Sequence, residues 1–218
     1  MLVLISGGSG SGKSQLAEKL AVRLADNSAL YYVATMMRGH DAESARKIAR
    51  HRDQRAGHGF ITVERPFAGG ELAYSRASAQ EIAESESKNS VQSDGVILLE
   101  CLSNLLANEM FLRSEQGLDY LSPEQAAEII WYDLMQLAER SRHLVIVSNE
   151  VFADAMVFDD HSRSYLRLLG WLNQKLAEEA DLSLEVYYGL PIVHKGNSDI
   201  LKNLDVPAAE ITSAAAEA

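Results

Sequence analysis

LVLISGGSGSGKS, Leu2–Ser14, runs four apolar residues straight into a glycine- and serine-rich stretch that closes on lysine and serine. Gly7, Gly8, Ser9, Gly10, Ser11, Gly12, Lys13 and Ser14 satisfy the pattern G-x-x-x-x-G-K-[ST]. Glycines let the backbone bend until successive N–H groups converge on phosphate oxygens. The start of the following helix adds its partial positive charge. In such a loop the lysine bridges the β- and γ-phosphates and the serine hydroxyl holds Mg²⁺. A turn that merely joined a strand to a helix would have no need of lysine and serine at those two positions.

Working outward, Leu16, Leu20 and Leu24 recur at helical spacing, which predicts a helix over Lys13–Ala25. Ala29–Thr35 and Phe60–Val63 read as strands, the latter ended by Pro66, and Val96–Glu100 as a buried strand. Leu102–Phe111 continues it as an apolar helix. Residues 68–94 are small and polar and read as a surface helix and loop. Ser122–Gln125 is a capping box with proline at the first helical position. It opens a helix through Leu137, followed by a strand at Leu144–Ser148, a helix around Tyr165–Leu176 and a last strand at Leu184–Tyr188.

Continuous apolar strands alternating with helices indicate a mostly parallel sheet with helices on both faces. The fold class expected is therefore α/β, a P-loop NTPase of the RecA-like kind. Residues 1–204 are expected to form one catalytic domain, and 205–218, alanine-rich and weakly patterned, a flexible tail. A second acidic group should reach the Mg²⁺. Glu100 is the candidate, because the carboxyl end of a strand opens onto the crevice where ligands bind.

The net charge is −11, which argues against affinity for nucleic acid or anionic membrane. No stretch has the ~18 apolar residues of an integral membrane segment. No signal-peptide pattern is present, and a single cysteine, Cys101, permits no intrachain disulfide. A cytoplasmic location is expected. Against the acidic background stands one basic run, Arg46–Arg55, RKIARHRDQR. As a helix it places Lys47, His51 and Arg55 on one face. Nearby cations disfavour imidazolium, so His51 would keep a lone pair for attack, while the same cations stabilise charge at phosphorus. A solvated cationic face is the plainer reading of that run, and composition alone leaves both open.

Several blocks resemble the adenosylcobinamide kinase/adenosylcobinamide-phosphate guanylyltransferase family. They are LVLISGGSGSGKS, YYVAT at Tyr31–Thr35, IARHRDQR at Ile48–Arg55, TVE at Thr62–Glu64, ILLECLSNLLANEM at Ile97–Met110, IVSNEV at Ile146–Val151, and the closing LNQKLAEEAD and GLPIVHKG. They follow in family order from about residue 2 to 196. The resemblance implies a two-step enzyme that phosphorylates adenosylcobinamide with ATP or GTP. It then transfers GMP from GTP, through a guanylylated histidine, to adenosylcobinamide phosphate. It makes His51 and Lys13 catalytic. It carries nucleotide contacts to Gly7–Ser14, Val33, Ala34, Thr35, Arg52, Asp53, Gln54, Arg55, Glu64 and Glu100, and it implies a homotrimer. The pattern departs from the family at Asn149–Asp160, which lacks the usual glycine and proline, and at Ala56, where a proline is usual.

Two other readings stand beside it. One is a monofunctional P-loop kinase of another small alcohol, with no covalent histidine. The other is a GTP-dependent switch, which would want a guanine-reading N-K-x-D, and none occurs.

Overall fold

The structure is a computed structural model and describes residues 1–37, 57–68, 73–75, 90–92, 94–151, 159–202 and 204. Nine strands are present among them. β1 is Leu2–Ser6, β2 Leu30–Ala34, β3 Ile61–Glu64, β4 Ala73–Ser75, β5 Ser90–Gln92, β6 Val96–Glu100, β7 His143–Val147, β8 Leu182–Tyr187 and β9 Leu190–Lys195. The α-helices are α1 (Lys13–Ala25), α2 (Leu102–Ala107), α3 (Pro123–Arg140) and α4 (Asp160–Glu179).

Seven strands form one sheet in the order β3-β2-β6-β7-β1-β8-β9. Every pairing is parallel except β8 with β9. Each central strand is apolar throughout because both faces are covered. Val3, Ile5, Val96, Leu98, Val145 and Val147 meet Leu16, Ala17, Leu20 and Ala21 of α1 on one face. Leu2, Leu4, Ile97, Leu99, Leu144 and Ile146 meet α2, Ile130 and Leu134 of α3, and Leu169 and Leu172 of α4 on the other. Burying one such leucine contributes about 1.5–3 kcal/mol, so the two-period alternation fixes both faces of the sheet.

Helix ends follow their chemistry. At α3, Gln125 N donates to Ser122 Oγ at 3.2 Å and Ser122 N donates to Gln125 Oε1 at 2.9 Å, with Pro123 at the first position. At α4, Ser162 N donates to Asp159 Oδ1 at 2.7 Å.

Three sequence expectations need correction. The surface helix and loop read over 68–94 contains, in its described parts, strands β4 and β5, which pair in parallel as a separate small sheet. Their three-residue length is too short for periodicity to register. The single helix expected from Leu102 to Phe111 stops at Ala107 and widens into a π-helical turn, Asn108–Leu112. The expected last strand is followed by a further one, β9, whose Pro191 is tolerated because β9 lies at the sheet edge. The basic run with His51, residues 152–158 and residues 205–218, where a tail was expected, lie outside the described residues.

Candidate active site

β1 stops at Ser6, and the chain turns through Gly7–Gly12 into α1. Gly12 caps α1 with φ +94° and no side-chain hydrogen bond, leaving the first-turn N–H groups facing the loop. Gly7 has no alternative, since a Cβ there would sit 2.5 Å from Val186 O and 2.8 Å from Ser11 Oγ. Ser11 Oγ is itself buried and has no hydrogen-bond partner among the described residues. Lys13 is 7% exposed, and its Nζ donates to Gly8 O at 2.9 Å, so the ammonium crosses the mouth of its own loop.

Ser14 Oγ donates to Glu100 Oε1 at 2.7 Å. Eighty-six residues apart in sequence, the two meet because β6 and β1 both end at the same edge of the sheet. A hydroxyl beside a carboxylate is a hard oxygen donor set of the kind Mg²⁺ accepts.

The remaining expected contacts divide. Thr35 N donates to Glu100 O at 3.0 Å, so the exit of β2 adjoins the site. The side chains of Val33 and Thr35 are fully buried, Val33 in the core beneath the sheet, so β2 offers main chain at this edge. Ala34 is half-buried at the same strand end. Glu64 is exposed at the end of β3, four strand spacings or roughly 19 Å from β1. Thus Lys13, Ser14 and Glu100 come together, and Glu64 stands apart. His51, Arg52, Asp53, Gln54 and Arg55 lie outside the described residues.

The edge is braced by polar residues whose roles the sequence did not disclose. Thr35 Oγ1 donates to Cys101 O at 2.8 Å and accepts from Cys101 N at 2.7 Å. Asn108 Nδ2 donates to Thr35 O and to Pro66 O, each at 2.8 Å, tying the exits of β2 and β3 to the π-helical turn. Asn149 Nδ2 donates to Ser103 Oγ at 2.5 Å, and Tyr165 OH donates to Ser103 O at 3.2 Å. Burial, with the Glu100 charge second, pushes the Cys101 thiol up, which keeps it an inert thiol rather than a nucleophile. Burial likewise pushes Tyr165 up to about 12, so its hydroxyl stays a donor. Only the identity of these residues as buried polar groups could have flagged them, and sequence does not reveal burial.

Glu109, 2% exposed, accepts from Ala68 N at 2.6 Å and from Arg113 Nη1 at 2.6 Å. Arg113 is partly exposed but Glu109 is fully enclosed, so removing Arg113 strands a buried charge. Arg113→Ala is therefore expected to cost about 3–5 kcal/mol and to lower Tm by about 6–20 °C. A denaturant melt checks this, and a loss below about 1 kcal/mol, the surface-pair range, would contradict it.

A mostly parallel sheet with a phosphate loop at the carboxyl end of β1 and a serine–carboxylate pair beside it defines a P-loop nucleotide enzyme. The family model described as cobinamide kinase / cobinamide phosphate guanyltransferase matches residues 3–193, and the chain belongs to that family. It is 34% identical over 193 residues to the bifunctional adenosylcobalamin biosynthesis protein CobP of Pseudomonas aeruginosa, covering 88% of this chain and 96% of the relative. It is 31% identical over 186 residues to the bifunctional adenosylcobalamin biosynthesis protein CobU of Escherichia coli, covering 83% and 92%. Among solved structures, the flagellar accessory protein FlaH of Methanocaldococcus jannaschii aligns at TM-score 0.45 and 14% identity, covering 90% of this chain and 78% of that one. No described helix is long and apolar enough to cross a membrane.

Proposed function

We propose that the chain carries out both activities of its family, in one domain over residues 1–204. It first moves the γ-phosphoryl group of ATP or GTP to the aminopropanol hydroxyl of adenosylcobinamide. His51 then attacks the α-phosphorus of GTP, pyrophosphate leaves, and the phosphate of adenosylcobinamide phosphate takes GMP from the histidine, giving adenosylcobinamide-GDP. The observation that carries this reading is the Ser14–Glu100 contact beside a complete phosphate loop, in a chain matched to the family over residues 3–193.

Lys13 would bind the β- and γ-oxygens, and the loop N–H groups would hold the phosphates in line for displacement, where positioning and charge supply nearly all of the catalysis. Ser14 and Glu100 would hold Mg²⁺, which when bound adds positive charge at the phosphoryl oxygens. Thr35 and Asn108 keep the carboxyl edge at β2 and β6 in place around that pair. A cytoplasmic homotrimer belongs to the same reading, supported by family membership. A monomer by light scattering would remove the trimer from it.

The test is intact-mass spectrometry of the wild-type protein after incubation with GTP and Mg²⁺, followed by peptide mapping. One GMP adduct, acid-labile and alkali-stable, on the peptide containing His51 is expected. A protein that binds GTP and phosphorylates an alcohol without forming the adduct would be a kinase alone.

A further inference from the structure

The turn joining β8 to β9 carries a residue that turn chemistry alone would not select. Tyr187 pairs with Leu190, so the loop is two residues, Tyr188 and Gly189, with φ +51° and +80°. Positive φ at both positions is the signature of a type I′ hairpin, where asparagine, aspartate or glycine is favoured first. A bulky side chain held in left-handed backbone is uncommon and costs about 1–3 kcal/mol. Packing does not explain the tyrosine, which is 83% exposed beside Tyr187 at 56%. The two rings lie 4.3 Å apart between centroids at 61°, an aromatic ledge raised into solvent. Where a sequence breaks a local rule with no gain in packing, function is the place to look.

The back of this ledge is joined to the phosphate loop. Gly189 N donates to Ser11 O at 2.9 Å, and a Cβ on Gly12 would lie 3.4 Å from Gly189 Cα. β1 runs between β7 and β8. The Ser14–Glu100 pair therefore marks the β6–β7 flank of the loop, and the hairpin marks the opposite flank. A nucleotide whose terminal phosphate points toward Ser14 and Glu100 would carry its ribose and base away from that flank, toward the β8 side.

We propose that Tyr188, supported by Tyr187, is the stacking platform for the purine base of the phosphoryl donor. Stacking on an aromatic ring is tolerant of base identity, because every base presents a π-face. Such a platform suits a donor that is either ATP or GTP. A base on this ledge is on the far side of the loop from Glu64, which closes β3. The inference rests on the nucleotide-binding part of the proposed function and not on the identity of the alcohol.

Isothermal titration with ATP and with inorganic tripolyphosphate, both with Mg²⁺, tests it on wild type, Tyr188→Asn and Tyr188→Phe. Asparagine suits the turn, so folding is not at stake. Tripolyphosphate fills the loop without a base. Tyr188→Asn is expected to weaken ATP roughly tenfold, toward the lower end of what loss of one base stack costs, with tripolyphosphate unchanged and Tyr188→Phe close to wild type. An unchanged ATP affinity overturns the proposal. So does a parallel loss for both ligands, which would make the hairpin a brace for the loop. A wild-type protein that binds neither ligand would instead defeat the phosphate-loop reading itself.

Discussion

Lys13→Ala is expected to slow phosphoryl transfer and GMP transfer alike by roughly 30-fold to a few thousand-fold. Lys13 is 7% exposed, so the charge it would offer a triphosphate acts in a site largely withdrawn from water. Removing one member of a buried charge pair costs about 2–5 kcal/mol, and each 1.36 kcal/mol in the barrier is tenfold in rate. Both steps should suffer, because both need the same loop to hold the β- and γ-phosphates, as transferred group in one and as leaving pyrophosphate in the other. Arginine should not restore them, since its planar fork does not fit where a compact ammonium donates to Gly8 O at 2.9 Å. Steady-state kcat/KM for each step, with a thermal melt to show the fold is kept, makes the measurement. Loss of one step alone would mean that the two reactions do not share the phosphate loop.

The parts of the fold that were legible are those with a strong local period or a fixed chemical pattern. Lys13–Ala25 and the capped start at Ser122 stand where the sequence puts them, because leucine spacing and the Ser122–Gln125 exchange are local facts. Glu100 could be placed beside Ser14 because a carboxylate closing a buried strand has only the ligand edge to face. β9 was hidden by Pro191, which argues against a strand unless the strand is known to lie at the edge. Edge position is a property of the assembled sheet and has no local signature. The same holds for Asn108 and Glu109, two adjacent polar residues both buried in the π-helical turn, where an apolar helix was expected to run on. What Asn108 does depends on Thr35 and Pro66, brought to it only by the pairing of β2 with its neighbours. Tyr188 was legible as a letter and not as a feature, because its backbone becomes unusual only once the β8–β9 register is known.

His51→Ala is expected to remove the GMP adduct and the formation of adenosylcobinamide-GDP altogether, while most of the phosphoryl transfer survives. The asymmetry follows from the chemistry. Moving a γ-phosphoryl group to an alcohol needs positioning and charge, which the phosphate loop can supply without a covalent carrier. Moving GMP by way of the enzyme needs a nucleophile that first takes GMP and then releases it to a second acceptor. Lys13 is a poor candidate for that part, since an ammonium has no lone pair to offer. Cys101 is ruled out by its burial, which holds it as a thiol. An imidazole set in sequence among Lys47, Arg50, Arg52 and Arg55 is the remaining candidate, since nearby cations would disfavour imidazolium and leave it an electron pair. Parallel assays of both reactions on the variant decide the matter. If phosphoryl transfer falls as far as GMP transfer, His51 supports the site as structure rather than as nucleophile. If an adduct persists in the variant, the carrier is another residue, and the basic run is left with the arginine clamp that a P-loop kinase would use.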